Sequence, residues 1–221
     1  MKFYFDGDSF TNGGGLKQKQ GREDTRWTKL VCNYFGAEEI NLSKGGASND
    51  AVMRHIFSKP TTEVYDFYFL QTTFVTRNEF YDEAKRKWLG YSHEGGKHGN
   101  IEDKCISRWG DIEGPQFAQW INFGLSRIYT NHYGKTRESV AYHALKAYVA
   151  SVGRARRSFF STTIKPKYTD NKYDMYFRGT DDFLYDKIPD DGHPSVEGHK
   201  TIAKYVIDIV SERLSDEGSV C

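Results

Sequence analysis

KFYFDGDSFTNG, residues 2–13, joins a run of aromatic residues to a glycine turn that carries a serine. Aromatic residues favour β-strands, and Gly7 predicts that the strand ends there. A serine on a sharp turn directly after a strand lies above the edge of the sheet, where a substrate can reach its hydroxyl. Because a serine hydroxyl is a weak nucleophile by itself, Ser9 as a nucleophile requires a base from elsewhere in the chain.

The best candidate base lies near the other end of the chain, in DDGHP, residues 190–194. His193 can accept the serine proton at one ring nitrogen while a carboxylate holds the other. Asp190, three residues earlier on a tight turn, is placed to hold it, and Asp191 competes for that role. The alternative interpretation is that residues 190–193 have no catalytic role and form only a polar turn that caps the last helix.

The order of predicted elements favours an α/β protein. Apolar runs predict strands at residues 2–6, Glu38–Leu42, Val64–Thr73 and Ser158–Ile164, with a short fifth segment at Asp182–Ile188. Helical spacing predicts helices over residues 27–35, from Ser48 or Asn49 to Pro60, from Pro115, from about Glu138 to Gly153, and over residues 202–214. This alternation predicts right-handed crossovers and a mostly parallel sheet of about five strands, covered by helices on both faces.

At 221 residues, the chain is long enough for one domain with a full-size core. We therefore predict a single domain over residues 1–221. Residues 80–114 are rich in Gly, Lys, Glu and His and show weak periodicity. They are predicted to form a polar insertion or lid rather than part of the core.

In a parallel sheet, ligand sites form beyond the carboxyl ends of the strands. Three loops are predicted to meet there: residues 7–9, 45–49 and 73–79. Gly46 lies in a glycine turn before a helix, where its backbone N–H can stabilise an oxyanion with no side chain in the way. The backbone N–H of Ser9 is the second predicted donor.

The overall composition excludes several classes of protein. Charges nearly cancel, with 31 Lys and Arg against 30 Asp and Glu, so binding of nucleic acid by phosphate neutralisation is not expected. The three cysteines have no motif spacing and are predicted to be free thiols. No apolar run is long enough to cross a membrane, and no cleaved signal peptide is recognised. The expected location is therefore the cytoplasm or a viral particle.

Histidines outside the DDGHP turn are predicted to have no catalytic role. His93, His98, Asp103 and Cys105 could in principle bind a metal, but their spacing matches no zinc pattern and a solvated loop is the preferred interpretation. His199 is predicted to lie on the surface of the last helix. No metal or other cofactor is expected.

Three blocks together resemble the SGNH hydrolase family, the GDSL-type esterases: GDSFTNG (7–13), NLSKGGASN (41–49) and DDGHPSVEG (190–198). The resemblance extends from the first strand to the last helix. It implies a flavodoxin-like three-layer α/β/α sandwich and metal-free hydrolysis of esters, often acyl groups on sugars or lipids. It also implies roles for four residues: Ser9 as nucleophile, His193 as base, Asp190 as the orienting acid and Gly46 as an oxyanion donor.

The third block of that family is altered in this chain. The family has Gly-x-Asn-Asp after the central strand, and its Asn supplies the third oxyanion donor. Here Thr73 stands at the glycine position and Val75 at the Asn position, and valine cannot donate a hydrogen bond. Thr73, Arg77 or Asn78 is the candidate replacement. Because losing an oxyanion donor costs on the order of 10²–10³ in rate, this change predicts either a substitute donor or weak activity.

The sequence thus predicts a serine hydrolase acting on small-molecule or glycan esters, as a short-acyl esterase or carbohydrate O-deacetylase. The alternative is a non-catalytic protein that binds glycans or serves as a structural module on the same fold. The 15 Tyr, 15 Phe and 4 Trp residues would suit either sugar binding or core packing. A thioesterase or lysophospholipase would use the same machinery and ranks lower, because no acyl-chain groove is evident.

Overall fold

In a computed structural model, the chain folds around a five-stranded parallel sheet. The structure describes residues 1–16, 22–60, 62–74, 77–84, 86–92, 114–121, 123, 131–154, 157–162, 175–176 and 192–218. The described strands are β1 (Lys2–Asp6), β2 (Glu38–Asn41), β3 (Phe67–Thr72), β4 (Arg77–Asp82), β5 (Lys87–Ser92), β6 (Ser158–Thr162) and β7 (Met175–Tyr176). The described helices are α1 (Ser9–Asn12), α2 (Arg22–Thr25), α3 (Trp27–Phe35), α4 (Asn49–Phe57), α5 (residues 114–121), α6 (Asn131–Ser151) and α7 (Val196–Gly218).

The main sheet has the strand order β2-β1-β3-β6-β7, and every neighbouring pair is parallel. β1 lies between β2 and β3, with Phe5 opposite both Asn41 and Phe69. The loops after these three strands therefore leave from the same edge of the sheet. This topology confirms the predicted α/β class and brings the loop that carries Ser9 to the centre of that edge.

Two apolar clusters cover the faces of the sheet. Alternation along β1 sends Phe3 and Phe5 to one face and Tyr4 to the other. The first cluster packs against α3 and α7, and the second packs against α4 and α6. All six residues of β3 are buried, as a strand covered on both faces requires. Burying one such aromatic side chain contributes about 1.5–3 kcal/mol, so the aromatic residues of the central strands stabilise the fold substantially.

Several element bounds differ from those predicted. β3 begins at Phe67 rather than Val64, and the Tyr65 backbone N–H donates to the Tyr68 hydroxyl at 3.2 Å rather than to a strand. α6 begins at Asn131, about two turns before Glu138. Its first turns carry exposed polar residues, so no apolar stripe marks them. The fifth strand is β7, while the predicted segment at 182–188 lies outside the described residues.

Part of the predicted insertion at 80–114 forms a hairpin. β4 and β5 form a separate two-stranded antiparallel sheet. In its register Arg77 lies opposite Ser92 and Asp82 lies opposite Lys87. The hairpin contacts α4, where Arg54 forms an ion pair with Glu79. Its charged and polar sequence hides the strand pattern, which is why no strand was predicted there.

The prediction for His199 is wrong, since this residue is fully buried between α7 and α3. Its Nδ1 accepts a hydrogen bond from the backbone N–H of Trp27 at 3.3 Å. The ring therefore satisfies one of the backbone donors that the start of α3 leaves without a helical partner. None of the described helices is both long and apolar enough to span a membrane.

Candidate active site

Ser9 is the first residue of α1, directly beyond the carboxyl end of β1. The Asp8 side chain caps this short helix by accepting from the Phe10 backbone N–H at 3.0 Å. A Cβ on Gly7 would lie 2.6 Å from Gln71 Cβ, so only glycine allows the turn to approach β3 this closely. Strand, glycine and cap therefore fix the position of the serine before any partner is considered.

His193 meets Ser9 at this edge of the sheet, although 184 residues separate them in sequence. Its Nε2 lies 2.8 Å from Ser9 Oγ, within hydrogen-bond range. The imidazole also packs against Phe10, with ring centroids 5.3 Å apart. It stands three residues before α7, whose packing on α3 brings the C-terminal part of the chain back to β1.

Gly14 packs tightly against both members of this pair. A Cβ at this position would lie 2.5 Å from His193 Cδ2, 2.8 Å from His193 Nε2 and 2.9 Å from Ser9 Cβ. Real Cβ contacts are essentially never that short, so any side chain here would displace the imidazole or the serine. Gly14 is the middle member of a triple glycine at residues 13–15, and nothing in the sequence distinguishes it from its two neighbours.

The carboxylate of Asp8 is fully buried beside Ser9. Gln71, near the end of β3, donates from Nε2 to Asp8 Oδ1 at 2.8 Å and accepts from the Asp8 backbone N–H at 3.3 Å. Thr11 donates its hydroxyl to the same amide oxygen at 2.6 Å. This network joins the turn that carries Asp8 and Ser9 to the neighbouring strand β3.

Arg77, the first residue of β4, completes the environment of Asp8. One of its guanidinium nitrogens donates to Asp8 Oδ2, and the guanidinium carbon lies 4.5 Å from the centre of the Phe74 ring. Arg77 and Asn78 were predicted, beside Thr73, as possible substitutes for the third oxyanion donor. Successive side chains of a strand point to opposite faces. The Arg77 side chain extends toward Asp8, so the Asn78 side chain points to the other face of β4. The prediction for Val75 lies outside the described residues.

Thr73 lies at the end of β3, fully buried. Its backbone N–H donates to Asn49 Oδ1 at 2.7 Å, and its carbonyl accepts from Asn49 Nδ2 at 3.3 Å. The backbone amide that glycine would offer at this position is thus already bound. Its Oγ1 has no hydrogen-bond partner among the described residues. Of the polar groups of Thr73, only the hydroxyl is therefore a candidate oxyanion donor. Asn49, predicted only as a possible start of a helix, binds both backbone groups of Thr73.

The Gly45–Gly46 turn borders Ser9 from the β2 side. A Cβ on Gly45 would lie 4.0 Å from Ser9 Cβ, an ordinary contact distance. Gly46 is exposed and has a φ of 76°, a left-handed conformation that favours glycine. Ser48 then caps α4 by accepting from the Ala51 backbone N–H at 3.2 Å. The structure thus brings the predicted glycine turn next to the serine.

A second buried carboxylate precedes the turn. Asp6 is fully buried, and its Oδ2 lies 3.0 Å from His55 Nδ1 and accepts from the Tyr4 hydroxyl at 3.1 Å. Burial raises the pKa of Asp6 above its ordinary value, and the hydrogen bond and charge of His55 oppose that rise. The Gly7 backbone N–H donates to Asp6 Oδ1 at 2.8 Å, so this carboxylate helps to hold the turn before Ser9.

Other predicted site residues also lie outside the described part of the chain. Asp190, the predicted orienting acid, and its competitor Asp191 are among them, as are the candidate metal ligands His93, His98, Asp103 and Cys105. Within the described ranges, no group of three or more His, Cys, Asp or Glu side chains is arranged to hold a metal ion.

No protein-family model matches this sequence, and no curated protein matches it. Solved structures do resemble the fold. The psychrotrophic esterase EstA from Pseudoalteromonas sp. superposes with a TM-score of 0.52 at 13% identity, over 97% of this chain and 98% of EstA.

Two acetylxylan esterases are also similar. Est2A from Butyrivibrio proteoclasticus has a TM-score of 0.48 at 12% identity, over 97% of this chain and 64% of Est2A. A catalytic mutant of Axe2 from Geobacillus stearothermophilus has a TM-score of 0.46 at 11% identity, over 94% of this chain and 92% of Axe2. At such identities a likeness concerns the fold alone. The chain therefore has the α/β fold of the esterase EstA, with a serine and a histidine in hydrogen-bond contact at the end of its first strand.

Proposed function

We propose that this protein is a serine hydrolase of the SGNH type that cleaves carboxylic esters through an acyl-enzyme. In this proposal Ser9 is the nucleophile, His193 is the general base and acid, and Asp190 orients the imidazole. The observation that carries the proposal is the 2.8 Å distance between His193 Nε2 and Ser9 Oγ. A nucleophile and a base at hydrogen-bond distance are the geometric signature of an activated serine.

The first half of the reaction forms the acyl-enzyme. Ser9 Oγ attacks the ester carbonyl carbon while His193 Nε2 takes the hydroxyl proton, and the carbonyl oxygen becomes an oxyanion. When the tetrahedral intermediate collapses, the bond to the alcohol oxygen breaks and the imidazolium returns its proton to that oxygen. In the second half, His193 removes a proton from water, the hydroxide oxygen attacks the acyl carbon, and Ser9 leaves with the proton.

The oxyanion requires preorganised donors. The backbone N–H groups of Ser9 and Gly46 are two proposed donors, and the Thr73 hydroxyl is the third. The proposal for Thr73 is supported by its buried Oγ1, which has no partner among the described residues. Arg77 is proposed to act indirectly, because its guanidinium is bound to Asp8.

We further propose a short acyl group, such as acetate on a sugar hydroxyl, as the substrate class. This follows the resemblance of the sequence blocks around Ser9, Gly46 and His193 to the SGNH hydrolases. No metal or cofactor is required by the chemistry, since the base, the nucleophile and the oxyanion donors are all protein groups.

Hydrolysis of an activated acetate ester, such as 4-nitrophenyl acetate, tests the proposal. Wild type should turn over, and both Ser9→Ala and His193→Ala should fall to the background rate. Ser58→Ala, which removes a serine hydroxyl at the end of α4, is the matched control and should behave as wild type. Equal background rates for wild type and Ser9→Ala would instead support a non-catalytic glycan-binding or structural module.

The same assay separates the two candidate orienting acids. Asp190→Asn should lower kcat by on the order of 10⁴, because a wrongly held imidazole tautomer loses most of its value as a base. Asp191→Asn should retain most of the activity. The reverse result would assign the role to Asp191 and leave the rest of the proposal intact.

A further inference from the structure

Two exposed aromatic side chains form a pair on the β4–β5 hairpin. Tyr81 and Trp88 stand opposite each other in its register, with ring centroids 5.4 Å apart in an edge-to-face arrangement. They are 41% and 43% exposed. Large aromatic side chains contribute much of the binding energy when a ligand buries them. A partly exposed aromatic pair is therefore a candidate binding surface.

Arg54 of α4 holds this pair in place. Its guanidinium carbon lies 4.6 Å from the centre of the Trp88 ring. The same guanidinium donates two hydrogen bonds to Glu79, from Nε and from NH2, each at 3.1 Å. The Arg54 guanidinium thus packs against the indole of Trp88, while the Glu79 carboxylate neutralises the charge of the guanidinium. A ligand would therefore meet a preorganised aromatic surface to which the Arg54–Glu79 pair adds no net charge.

Tyr81 of the pair lies on the same strand as Arg77, which contacts the residue before Ser9. Side chains alternate along a strand, so Arg77, Glu79 and Tyr81 lie on the same face of β4. Arg77 binds Asp8 beside Ser9, Glu79 binds Arg54, and Tyr81 packs on Trp88. At about 3.3 Å per residue, Tyr81 lies about 13 Å along the strand from Arg77. A substrate with its ester at Ser9 would need to be extended to reach the pair.

The size and chemistry of the pair suit a sugar ring. At two-fifths exposure, two side chains of roughly 200–250 Å² each offer about 200 Å². A stable protein interface buries about 800 Å² per partner, which is several times more. The apolar C–H face of a sugar is complementary to the electron-rich face of an aromatic ring. The compensated charges of Arg54 and Glu79 favour a neutral glycan over an anionic ligand.

We propose that Tyr81 and Trp88 bind a distal sugar ring of an extended, neutral glycan ester whose acyl group is cleaved at Ser9. This inference rests on the proposed ester hydrolase activity for the identity of the reacting group. The binding of the sugar itself does not depend on that activity.

The first test compares a small and a large substrate for the double variant Tyr81→Ala/Trp88→Ala. We expect kcat/KM for 4-nitrophenyl acetate to stay within about twofold, while KM for O-acetylated xylo-, cello- or manno-oligosaccharides rises about tenfold, equivalent to about 1.4 kcal/mol. Tyr34→Ala, which removes an exposed aromatic ring from α3, is the matched control and should change neither value. An unchanged KM for every oligosaccharide would overturn the proposal, and so would an equal loss on both substrates.

The second test measures binding without turnover. Non-acetylated oligosaccharides of the same three types are titrated calorimetrically into Ser9→Ala protein, with and without the double substitution. We expect the Ser9→Ala protein to bind at least one of these oligosaccharides, and we expect the double substitution to weaken that binding about tenfold. Trp88→Phe, made in place of the double substitution, should retain most of the affinity. If no oligosaccharide binds the Ser9→Ala protein, or if the double substitution leaves affinity unchanged, the proposal is wrong. This titration measures sugar binding and does not require catalysis. The 4-nitrophenyl acetate assay alone tests the esterase proposal, so the failure of either proposal can be recognised separately.

Discussion

Arg77 at the start of the hairpin donates to the carboxylate of Asp8, a fully buried group one residue before the proposed nucleophile. The contact joins residues 69 apart and links the hairpin to the loop that carries Ser9. A buried ion pair contributes little by itself when compared with apolar packing, but removing one partner leaves an uncompensated charge. Arg77 is therefore a positioning residue, and its loss should disturb the loop that carries Ser9.

Arg77→Ala should destabilise the protein by about 3–5 kcal/mol, because Asp8 would remain buried without its cation. Urea unfolding measures this change. Lys2→Ala is the control, since the Lys2–Glu38 pair is more than half exposed and such pairs contribute at most about 1 kcal/mol. Equal effects of the two substitutions would show that the Asp8 contact does not hold the loop.

Gly14→Ala should strongly lower the proposed esterase activity, because its Cβ would collide with the His193 ring and with Ser9 Cβ. Moving the base by even 1 Å can cost on the order of 10² in rate. Gly45→Ala is the matched substitution near Ser9, because a Cβ there meets only an ordinary 4.0 Å contact with Ser9 Cβ. The relevant measurement is kcat for an activated acetate ester. If Gly14→Ala and Gly45→Ala have the same kcat, the tight packing around the imidazole does not matter for catalysis.

Thr73→Val should separate activity from stability. It removes a buried hydroxyl that has no partner among the described residues, so the free energy of unfolding should stay the same or rise. If that hydroxyl stabilises the oxyanion, kcat should fall on the order of 10²–10³ with little change in KM. Thr73→Ser keeps the hydroxyl and should retain most of the rate. Full activity of the valine variant would remove Thr73 from the oxyanion hole.

Glu39 should make the stability of the protein depend on pH. Burial alone would raise its pKa, but hydrogen bonds from Arg26, Thr28 and Asn41 outweigh burial and lower the pKa below its ordinary value. The folded protein therefore binds this proton less readily than the unfolded chain. The resulting stabilisation is present above the unfolded pKa of about 4.3 and is lost as pH falls through the folded value.

The substitution Glu39→Gln should therefore destabilise most near neutral pH and least in strong acid. The free energies of unfolding of wild type and variant, measured by urea from about pH 7 down to about pH 3, provide the comparison. A difference that grows on acidification would mean that the pKa of Glu39 is raised rather than lowered.

The sequence was informative where function depends on short local patterns. The strand, Gly7 and Ser9 stand together in the chain, so their geometry could be predicted from a dozen residues. The approach of His193 to Ser9 was predicted from residue chemistry and from the family resemblance. The packing of α7 on α3, which brings the two together, is a tertiary feature that only the structure displays.

The missed features depend on long-range contacts. The choice between Arg77 and Asn78 needs the phase of β4, and that strand was not recognised. The role of Asn49 as a clamp on Thr73 spans 24 residues and leaves no local pattern. For His199 a signal was present, because it lies three, four and seven residues before Ile202, Ala203 and Val206, which are buried on the core side of α7. Its polarity, rather than its position, led to the wrong prediction.

The central claim is that His193 activates Ser9 as a nucleophile, and covalent labelling tests it most directly. Protein is incubated with a fluorophosphonate probe, and the modified peptide is identified by mass spectrometry for wild type, His193→Ala and Ser9→Ala. The account predicts one adduct, on Ser9, which forms far more slowly in His193→Ala and is absent in Ser9→Ala. A wild-type protein that remains unlabelled, or that reacts at Ser9 equally fast without the imidazole, would contradict it.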